Sequence, residues 1–256
     1  MILLNPNLIQ IDSTLLNEIE DKSKSIFRSI TFSKKKSSKN LLDSFINSTN
    51  SLTELLSIKN AQMEAENEHE LKVYQRNLNK VILYVVNEIK NERHFESQIQ
   101  LFQIFRIVSP EAHKLHPNRY RDRLVQIGAH LCPEPERISG LVSNLFYNME
   151  QIKHPLIKAI YLHHEMIRIH PFVDGNGRIT RIAKNWILMY NLYPPIFIKD
   201  EIEKKEYIKS LSTSFIAIEK NQEVWHSETN KFFQQELNRV ILSINYILDK
   251  IAIESK

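Results

Sequence analysis

The sequence predicts an all-α fold with one short β-hairpin. Apolar residues recur at three- and four-residue intervals along most of the chain, and only four glycines occur in 256 residues. Strand-like patterning is confined to residues 118–135, where a glycine and two prolines interrupt the apolar positions. Apolar residues make up 42% of the chain, which is enough for a core, and the length suits one domain with helical additions.

The same periodicity predicts the individual helices. The stripe of the last helix is typical either of core packing or of the seam of a homodimer, and the pattern does not distinguish the two. Residues 57–70, between the second and third helices, are rich in glutamate and are typical of solvated helix faces. Outside the motif discussed below, the predicted helices are 11–32, 41–56, 71–89, 95–108, 138–149, 201–218 and 228–253.

Charge and cysteine content limit the class of protein. The net charge is +4, and much of the excess lies in the serine-rich stretch that holds Lys34, Lys35, Lys36 and Lys39. No aromatic residues are interleaved with these lysines, so we expect a solvated loop and no nucleic-acid partner. One cysteine, Cys132, excludes an intrachain disulfide and fits a reducing compartment.

The apolar runs are too short for a membrane protein. The longest is 81–86, and the N-terminus lacks the basic residues of a signal peptide and meets a proline early. These features predict a soluble cytoplasmic protein without a membrane partner.

Two of the four glycines fall within residues 170–181, HPFVDGNGRITR. Apolar residues at helical spacing precede and follow this stretch, and Pro171 disfavours helical dihedrals at His170. The pattern therefore predicts a helix that ends at or just before His170, a tight loop, and a second helix that begins near Asn176.

This loop contains the groups that phosphate chemistry requires. The first amides of the second helix have no intrahelical partners and, with the helix dipole, favour an anion. Arg178 and Arg181 share a face, where their repulsion costs about 0.2–0.5 kcal/mol unless an anion or a carboxylate lies between them. Asp174 offers an oxygen ligand for Mg²⁺ held with substrate phosphates. His170 has an ordinary pKa that suits proton abstraction.

Simpler interpretations exist for single residues in the loop. Asp174 is a preferred N-cap residue, and Gly-Asn-Gly is a common turn. A zinc site is disfavoured: His164 and His170 point about 240° apart on a helix, and His163 and His170 lie roughly 10 Å apart along it. The combination of histidine, acid, glycines and arginines favours phosphoryl or nucleotidyl transfer.

The motif resembles that of the Fic family, H-x-F-x-[D/E]-G-N-G-R-x-x-R, at each of its specified positions. The resemblance implies a mostly helical fold and transfer of AMP from ATP to a protein hydroxyl. It assigns His170 as the base and Asp174 as the holder of Mg²⁺ against the phosphates, and it makes Phe172 a core anchor. The phosphate-binding residues would be Gly175, Asn176, Gly177, Arg178 and Arg181.

Two further features of the family have counterparts here. Many members carry an inhibitory helix, [S/T]-x-x-x-E-[G/N], whose glutamate pairs with the second motif arginine, and residues 60–65 (NAQMEA) resemble it. Asn60 and Ala65 depart from the pattern, so Glu64 is the first choice for the inhibitory glutamate and Glu66 the second. The family also docks its target on a hairpin flap, here Leu124, Val125, Gln126 and Ile127.

The sequence thus predicts three regions: 1–110, helical and with an inhibitory helix near 57–67; 111–200, the Fic core; and 201–256, helices packed on that core. The predicted function is protein adenylyltransfer, with ATP as substrate, Mg²⁺ as cofactor and an unknown protein as target. Alternatives are removal of AMP from a protein, transfer of another phosphate-bearing group, or a non-catalytic nucleotide-binding module.

Overall fold

A computed structural model describes residues 1–32 and 41–254 of the chain. The predicted lysine-rich loop, with Lys34, Lys35, Lys36 and Lys39, lies outside the described residues. None of the helices in the described ranges is long and apolar enough to cross a membrane.

The described residues form ten α-helices and one two-stranded hairpin, which confirms the predicted fold class. In the hairpin, Gln126 pairs with Leu131 and Ile127 with His130 in antiparallel register. The elements are α1 Ser13–Phe32, α2 Leu41–Gln62, α3 Glu68–Lys90, α4 Gln98–Val108, α5 Pro110–Leu115, β1 Gln126–Ile127, β2 His130–Leu131, α6 Pro135–Gln151, α7 Pro155–Ile169, α8 Asn176–Tyr190, α9 Glu201–Lys220 and α10 Ser227–Glu254.

Helices α7 and α8, on either side of the glycine loop, form the centre of the molecule. They pack against each other, and α8 also contacts α2, α3 and α4. Helices α6 and α10 pack against α7, and α9 packs on α10. Almost every side chain of α7 and α8 is buried, as expected for helices that have neighbours on all sides. The loop between them is therefore held by rigid elements.

The structure differs from the predicted elements in three places. Helix α2 continues beyond residue 56 to Gln62. Helix α4 ends at Val108, as predicted, but Pro110 then begins a short helix, α5, that was not predicted; at the first position of a helix the missing N–H of proline costs nothing. The extended pieces within 118–135 are shorter than expected, since only two residues on each side pair.

A buried ion cluster connects α8, α9 and α10. Lys184 Nζ lies 2.5 Å from Glu236 Oε2, and Arg239 pairs with both Glu236 and Glu203. Burial by itself would raise the pKa of Glu236, but the charges of Lys184 and Arg239 lower it to about 2. Each charge in the cluster thus has a partner, as a buried charge requires.

Candidate active site

His170 ends α7 in the left-handed region, with φ 49° and ψ 59°. A residue other than glycine rarely adopts this conformation, and such backbone strain often occurs at functional sites. The His170 amide donates to the Met166 carbonyl at 2.9 Å and so closes the helix. The chain then turns sharply, and the His170 side chain lines a cavity of about 430 Å³.

Two residues of the loop fix its shape. The Asn176 amide group accepts a hydrogen bond from the Phe172 N–H and donates one to the Phe172 carbonyl, both at 2.8 Å. The Phe172 ring is 1% exposed and stacks on Phe105 with centroids 4.5 Å apart. The loop is thus tied both to the start of α8 and to α4.

Gly175 is the N-cap of α8, with φ 75° and no side-chain cap. A Cβ atom at this position would lie 2.3 Å from Ser109 Oγ, so glycine is required for space as well as for conformation. Asp174 does not cap the helix; its two carboxylate oxygens each accept from Arg178 Nη2 at 3.1 Å. The first amides of α8 are therefore left open toward the cavity for an anion.

Glu64 lies between the two motif arginines. Its carboxylate accepts from Arg178 Nε at 2.8 Å and from Arg181 Nη2 at 2.6 Å. It also lies over Gly177, where an added Cβ would be 2.3 Å from Glu64 Oε1. The carboxylate thus occupies the space beside the α8 N-terminus, and it offsets the repulsion between two nearly buried guanidinium groups.

Glu66, the second choice, lies elsewhere. Its side chain is exposed, and its backbone amide donates to the Glu70 carboxylate at 2.9 Å.

Two more residues hold the arginines and were missed as site residues. Asn60 Oδ1 accepts from Arg181 Nε at 2.8 Å, and Asn60 is fully buried. The guanidinium of Arg178 lies 3.7 Å from the centroid of the Tyr74 ring, a cation–π contact. In the sequence, Asn60 was noticed only because it replaces the Ser or Thr of the inhibitory-helix pattern. Tyr74 gave no signal, because its contact depends on how α3 packs beside α8.

The surroundings of His170 keep its ring neutral. Burial, and next the nearby charge of Arg121, lower the pKa of His170 to about 4, although Glu64 acts in the opposite direction. His170 Nδ1 is buried, and a backbone hydrogen bond with Ile167 also opposes the lowering of its pKa. At neutral pH the ring is therefore unprotonated, as a general base must be.

The predicted flap flanks the cavity beside His170. Ile127 lines the cavity together with Gly128, while Leu124 is 60% exposed and Gln126 also faces solvent. The Val125 carbonyl accepts from the Cys132 N–H at 3.0 Å, which holds the two sides of the hairpin together. The four predicted flap residues are thus contiguous with the site, although only Gln126 and Ile127 are paired as a strand.

The far wall of the cavity comes from α9, which was not included among the site residues. Ile208, Leu211 and Phe215 give this wall its apolar character, and Ser212 and Tyr207 add polar atoms. The Tyr207 hydroxyl is already engaged with His163 at 2.9 Å. The cavity therefore has an ionic end at the α8 N-terminus and an apolar end at α9.

The structure brings most of the predicted motif residues together at this cavity. Phe172 lies in the core, as expected of an anchor, and the Arg178 side chain is 2% exposed, covered by Glu64 and Tyr74, and does not line the cavity. The predicted residues that line the cavity are Glu64, Ile127, His170, Asp174, Gly175, Asn176, Gly177 and Arg181.

The donor set suits Mg²⁺ that arrives with phosphates. Asp174 is half-exposed at the cavity and is a hard oxygen ligand, but the described residues contain no group of three or more metal-binding side chains. One carboxylate together with substrate phosphates is the usual way in which Mg²⁺ is held. The two nearby histidines, His163 and His164, are instead buried in hydrogen bonds with Tyr207, Glu165 and Ser214.

The chain is similar in sequence to known proteins. Residues 95–188 match the model of the Fic/DOC family. A protein adenylyltransferase Fic from Culex quinquefasciatus is 32% identical over 134 residues, which are 51% of this chain and 27% of that protein. The match thus spans about a quarter of the length of that relative.

Solved structures extend the likeness to nearly the whole fold. A Fic domain containing signaling protein from Bacteroides thetaiotaomicron superposes with a TM-score of 0.72 at 16% identity, covering 91% of this chain and 97% of that one. Fic-1 from C. elegans gives 0.68 at 14% identity and covers 94% and 75%. The family model shows that residues 95–188 carry a Fic domain, and the solved structures show that the described chain shares the fold of other Fic proteins.

Proposed function

We propose that this protein transfers AMP from ATP to a hydroxyl group of a target protein. The observation that carries the proposal is a neutral, half-buried histidine at the same cavity as an uncapped helix N-terminus and a motif arginine. The name of the Culex relative, a protein adenylyltransferase, supports the same reaction. The chemistry requires a base, an anion site and a space for the nucleotide, and all three meet here.

The reaction would run as follows in this cavity. His170 takes the proton of the target hydroxyl, and the hydroxyl oxygen attacks the α-phosphorus of ATP. The bond to the β-phosphate oxygen breaks, and pyrophosphate leaves. The amides at the start of α8 and Arg181 stabilise phosphate charge. The adenine would lie against Ile208, Leu211 and Phe215 at the apolar end.

Asp174 would hold Mg²⁺ together with the ATP phosphates. When bound, the metal neutralises phosphate charge during transfer. The Asp174 carboxylate is paired with Arg178 but remains half-exposed, so it can accept a further cation. Calorimetry with and without Mg²⁺, on the parent and on Asp174→Asn, tests this role: the variant should lose the Mg²⁺-dependent part of its ATP affinity. If its ATP affinity responds to Mg²⁺ as in the parent, Asp174 is not the ligand.

We also propose that Glu64 inhibits the enzyme. Its carboxylate contacts the guanidinium groups that the phosphates would need, and it lies over Gly177 in the anion site. ATP phosphates therefore compete with Glu64 for the same donors. The exposed Glu66 makes no such contact and serves as a matched control.

Labelled ATP and a cell lysate test the transfer directly. We expect the Glu64→Gly variant to label itself or a lysate protein on hydroxyl side chains, and His170→Ala in the same background to lose the label. ATP hydrolysis without any protein labelling would instead favour the non-catalytic or hydrolytic alternatives. Loss of a previously attached label would favour removal of AMP.

The flap is proposed to bind the main chain of the target as an added strand. Such docking depends on backbone hydrogen bonds, which proline disrupts. Gln126→Pro should therefore abolish protein labelling and leave ATP binding intact, whereas Gln126→Ala should keep both. Equal loss of labelling and ATP binding in the proline variant would show that this segment only supports the cavity.

A reducing compartment, the cytoplasm, is the proposed setting. Cys132 is buried and unpaired, and burial raises the pKa of its thiol to about 11. Fractionation of cells that produce the full protein would test this location.

A homodimer is the proposed assembly, through the exposed face of α10. The predicted apolar stripe of this helix is not available as a seam, because Phe232, Leu237 and Ile244 are fully buried in the core. Three of the exposed large apolar side chains, Leu242, Tyr246 and Ile253, lie on this helix. Sedimentation at several concentrations, with Leu242→Lys as the disrupting variant, would decide it.

A further inference from the structure

Arg121 is buried in a cage of backbone oxygens, although it lies at the start of the flap segment. It is 2% exposed. Its Nε donates to the His170 carbonyl at 2.7 Å, Nη1 to the Arg123 carbonyl at 2.6 Å, and Nη2 to the carbonyls of Pro133 at 2.6 Å and Ile169 at 3.3 Å. We call these four oxygens the carbonyl cage.

Arg121 differs from the other buried arginines in the described ranges. Arg168, Arg178, Arg181 and Arg239 each pair with a carboxylate, whereas Arg121 has no ion pair there. Burial lowers the pKa of Arg121. The carbonyl dipoles of the cage thus balance its positive charge. A neutral side chain of the same size would not need this stabilisation.

The carbonyl cage joins two separate parts of the chain. Arg123 and Pro133 lie at the beginning and end of the segment that contains the flap residues and the hairpin. Ile169 and His170 form the strained turn that ends α7. The Arg121 backbone N–H adds a bond to the Pro171 carbonyl at 2.7 Å. One residue therefore holds both ends of the flap and three consecutive carbonyls around the base.

We propose that Arg121 is a positioning residue that locks the flap and the left-handed turn at His170 into one unit. A target strand docked on the flap is then held at a fixed distance from the base, which is what rapid proton transfer requires. The role in catalysis rests on the proposed AMP transfer, while the mechanical lock does not.

The charge of Arg121 acts on the base as well. Facing His170 are Arg121 from the flap segment, Glu64 from the turn after α2, and His130 from β2. After burial, Arg121 is the largest cause that lowers the pKa of His170 to about 4. Removal of this charge raises the pKa of His170 and moves the acid limb of the pH profile of kcat/KM to higher pH, because the base is then protonated at higher pH.

Hydrogen exchange tests the lock without any assay of activity. Arg121→Lys keeps the charge but loses the planar fork, and Arg123→Met removes an exposed arginine of the same flap. We expect the lysine variant to exchange amides about tenfold faster or more in both 121–133 and 169–173, with α10 unchanged. The Arg123 variant should exchange like the parent. Acceleration in one segment only, or in neither, would overturn the proposal.

Measurement of the pKa of His170 by NMR distinguishes the effect of the Arg121 charge from the effect of its hydrogen-bond geometry. Arg121→Met should raise it by about one unit or more, since the cation is gone, while Arg121→Lys should leave it near the parent value. An unchanged pKa in the methionine variant would overturn the electrostatic role. If that variant does not fold, Arg121→Gln, which also removes the charge but keeps donor groups, provides the same decision, with Arg123→Met as the control that should match the parent.

Transfer kinetics in a Glu64→Gly background complete the test. The lysine variant should lower kcat/KM for the target protein and keep the parent affinity for ATP. Parent-like kcat/KM in this variant would contradict the positioning role. If the parent itself transfers no AMP, the proposed function fails, but the exchange and NMR results still decide on the lock.

Discussion

The buried arginines of the candidate site fall into two groups that are bound in different ways: Arg178 and Arg181 form the first group, and Arg121 alone forms the second. Arg178 and Arg181 interact with the carboxylates of Glu64 and Asp174. Arg121 interacts only with backbone carbonyls. The first group is held by side chains that can move away. The second is held by the main chain, which cannot leave without unfolding the turn.

This difference separates exchangeable from permanent contacts in one small site. A carboxylate and a phosphate present similar oxygens to a guanidinium group, so one can replace the other. A carbonyl cage has no such competitor. The arginines of α8 are therefore suited to exchanging a carboxylate for a phosphate. Arg121, in the flap segment, is suited to keeping the main chain in one position.

The largest effect is expected at His170, whose carbonyl binds Arg121 and whose side chain shares the cavity with Arg181. In a Glu64→Gly background, His170→Ala should lower the transfer rate about 10²–10⁴-fold, because it removes the general base. ATP affinity should stay within about twofold, since the arginines and the α8 amides remain. Filter binding and labelled-ATP kinetics measure the two quantities. A rate equal to that of the background would assign the base elsewhere.

Loss of the exchangeable carboxylate is expected to have the next largest effect. Glu64→Gly should raise the transfer rate about 10–100-fold, since a charged hydrogen bond contributes about 1.5–3 kcal/mol. Glu66→Gly should change the rate by less than about twofold, because an exposed side chain without a partner contributes little. Initial rates at saturating Mg²⁺-ATP decide this. Activation by Glu66→Gly alone would mean that the inhibitory residue is misassigned.

The Gly177→Ala variant tests the contacts of the α8 arginines in another way, because it crowds Glu64 without removing its carboxylate. The new Cβ would approach Glu64 Oε1 within 2.3 Å and Arg181 Nη1 within 2.9 Å, so one of them must shift. We expect ATP binding about tenfold weaker in the parent background, because the methyl group also enters the anion site. Calorimetry measures this, with Gly140→Ala as a control, since a Cβ there meets open space.

Asn60 is expected to have the smallest effect. Asn60→Ala removes a neutral acceptor from Arg181, a loss of about 1 kcal/mol, and should raise the transfer rate about three- to fivefold. Asn60→Asp should instead tighten the hold on Arg181 and lower the rate. If alanine and aspartate change the rate in the same direction, the effect comes from packing and not from the hydrogen bond.

Sequence reasoning predicted the parts of the site whose structure depends on residues that are close together in the chain. The apolar stripes and Pro171 correctly predicted where α7 ends and α8 begins, because both boundaries follow from nearby residues. The left-handed backbone of His170 was not predicted. The turn that contains it is hydrogen-bonded to Arg121, which lies in a different part of the chain.

Sequence reasoning did not predict the contacts between segments that are distant in the chain. The wall formed by α9 and the ring of Tyr74 reach the site only through packing. Helix α5 was missed because Pro110 was taken as a stop, although proline is favoured at the first position of a helix. The extension of α2 to Gln62 was missed because its buried positions there are Ser57, Asn60 and Ala61, which are polar or small and give no apolar stripe.

The buried ion cluster determines where the chain can be divided. Lys184 belongs to α8, within the segment that matches the family model, but its carboxylate partner is Glu236 on α10, well beyond the end of that segment. Excision of the matched segment alone would remove Glu236 and the helix that buries Lys184, and it would expose the part of α7 that packs against α10. The helices after the matched segment are therefore structural parts of the folded unit that holds the candidate site.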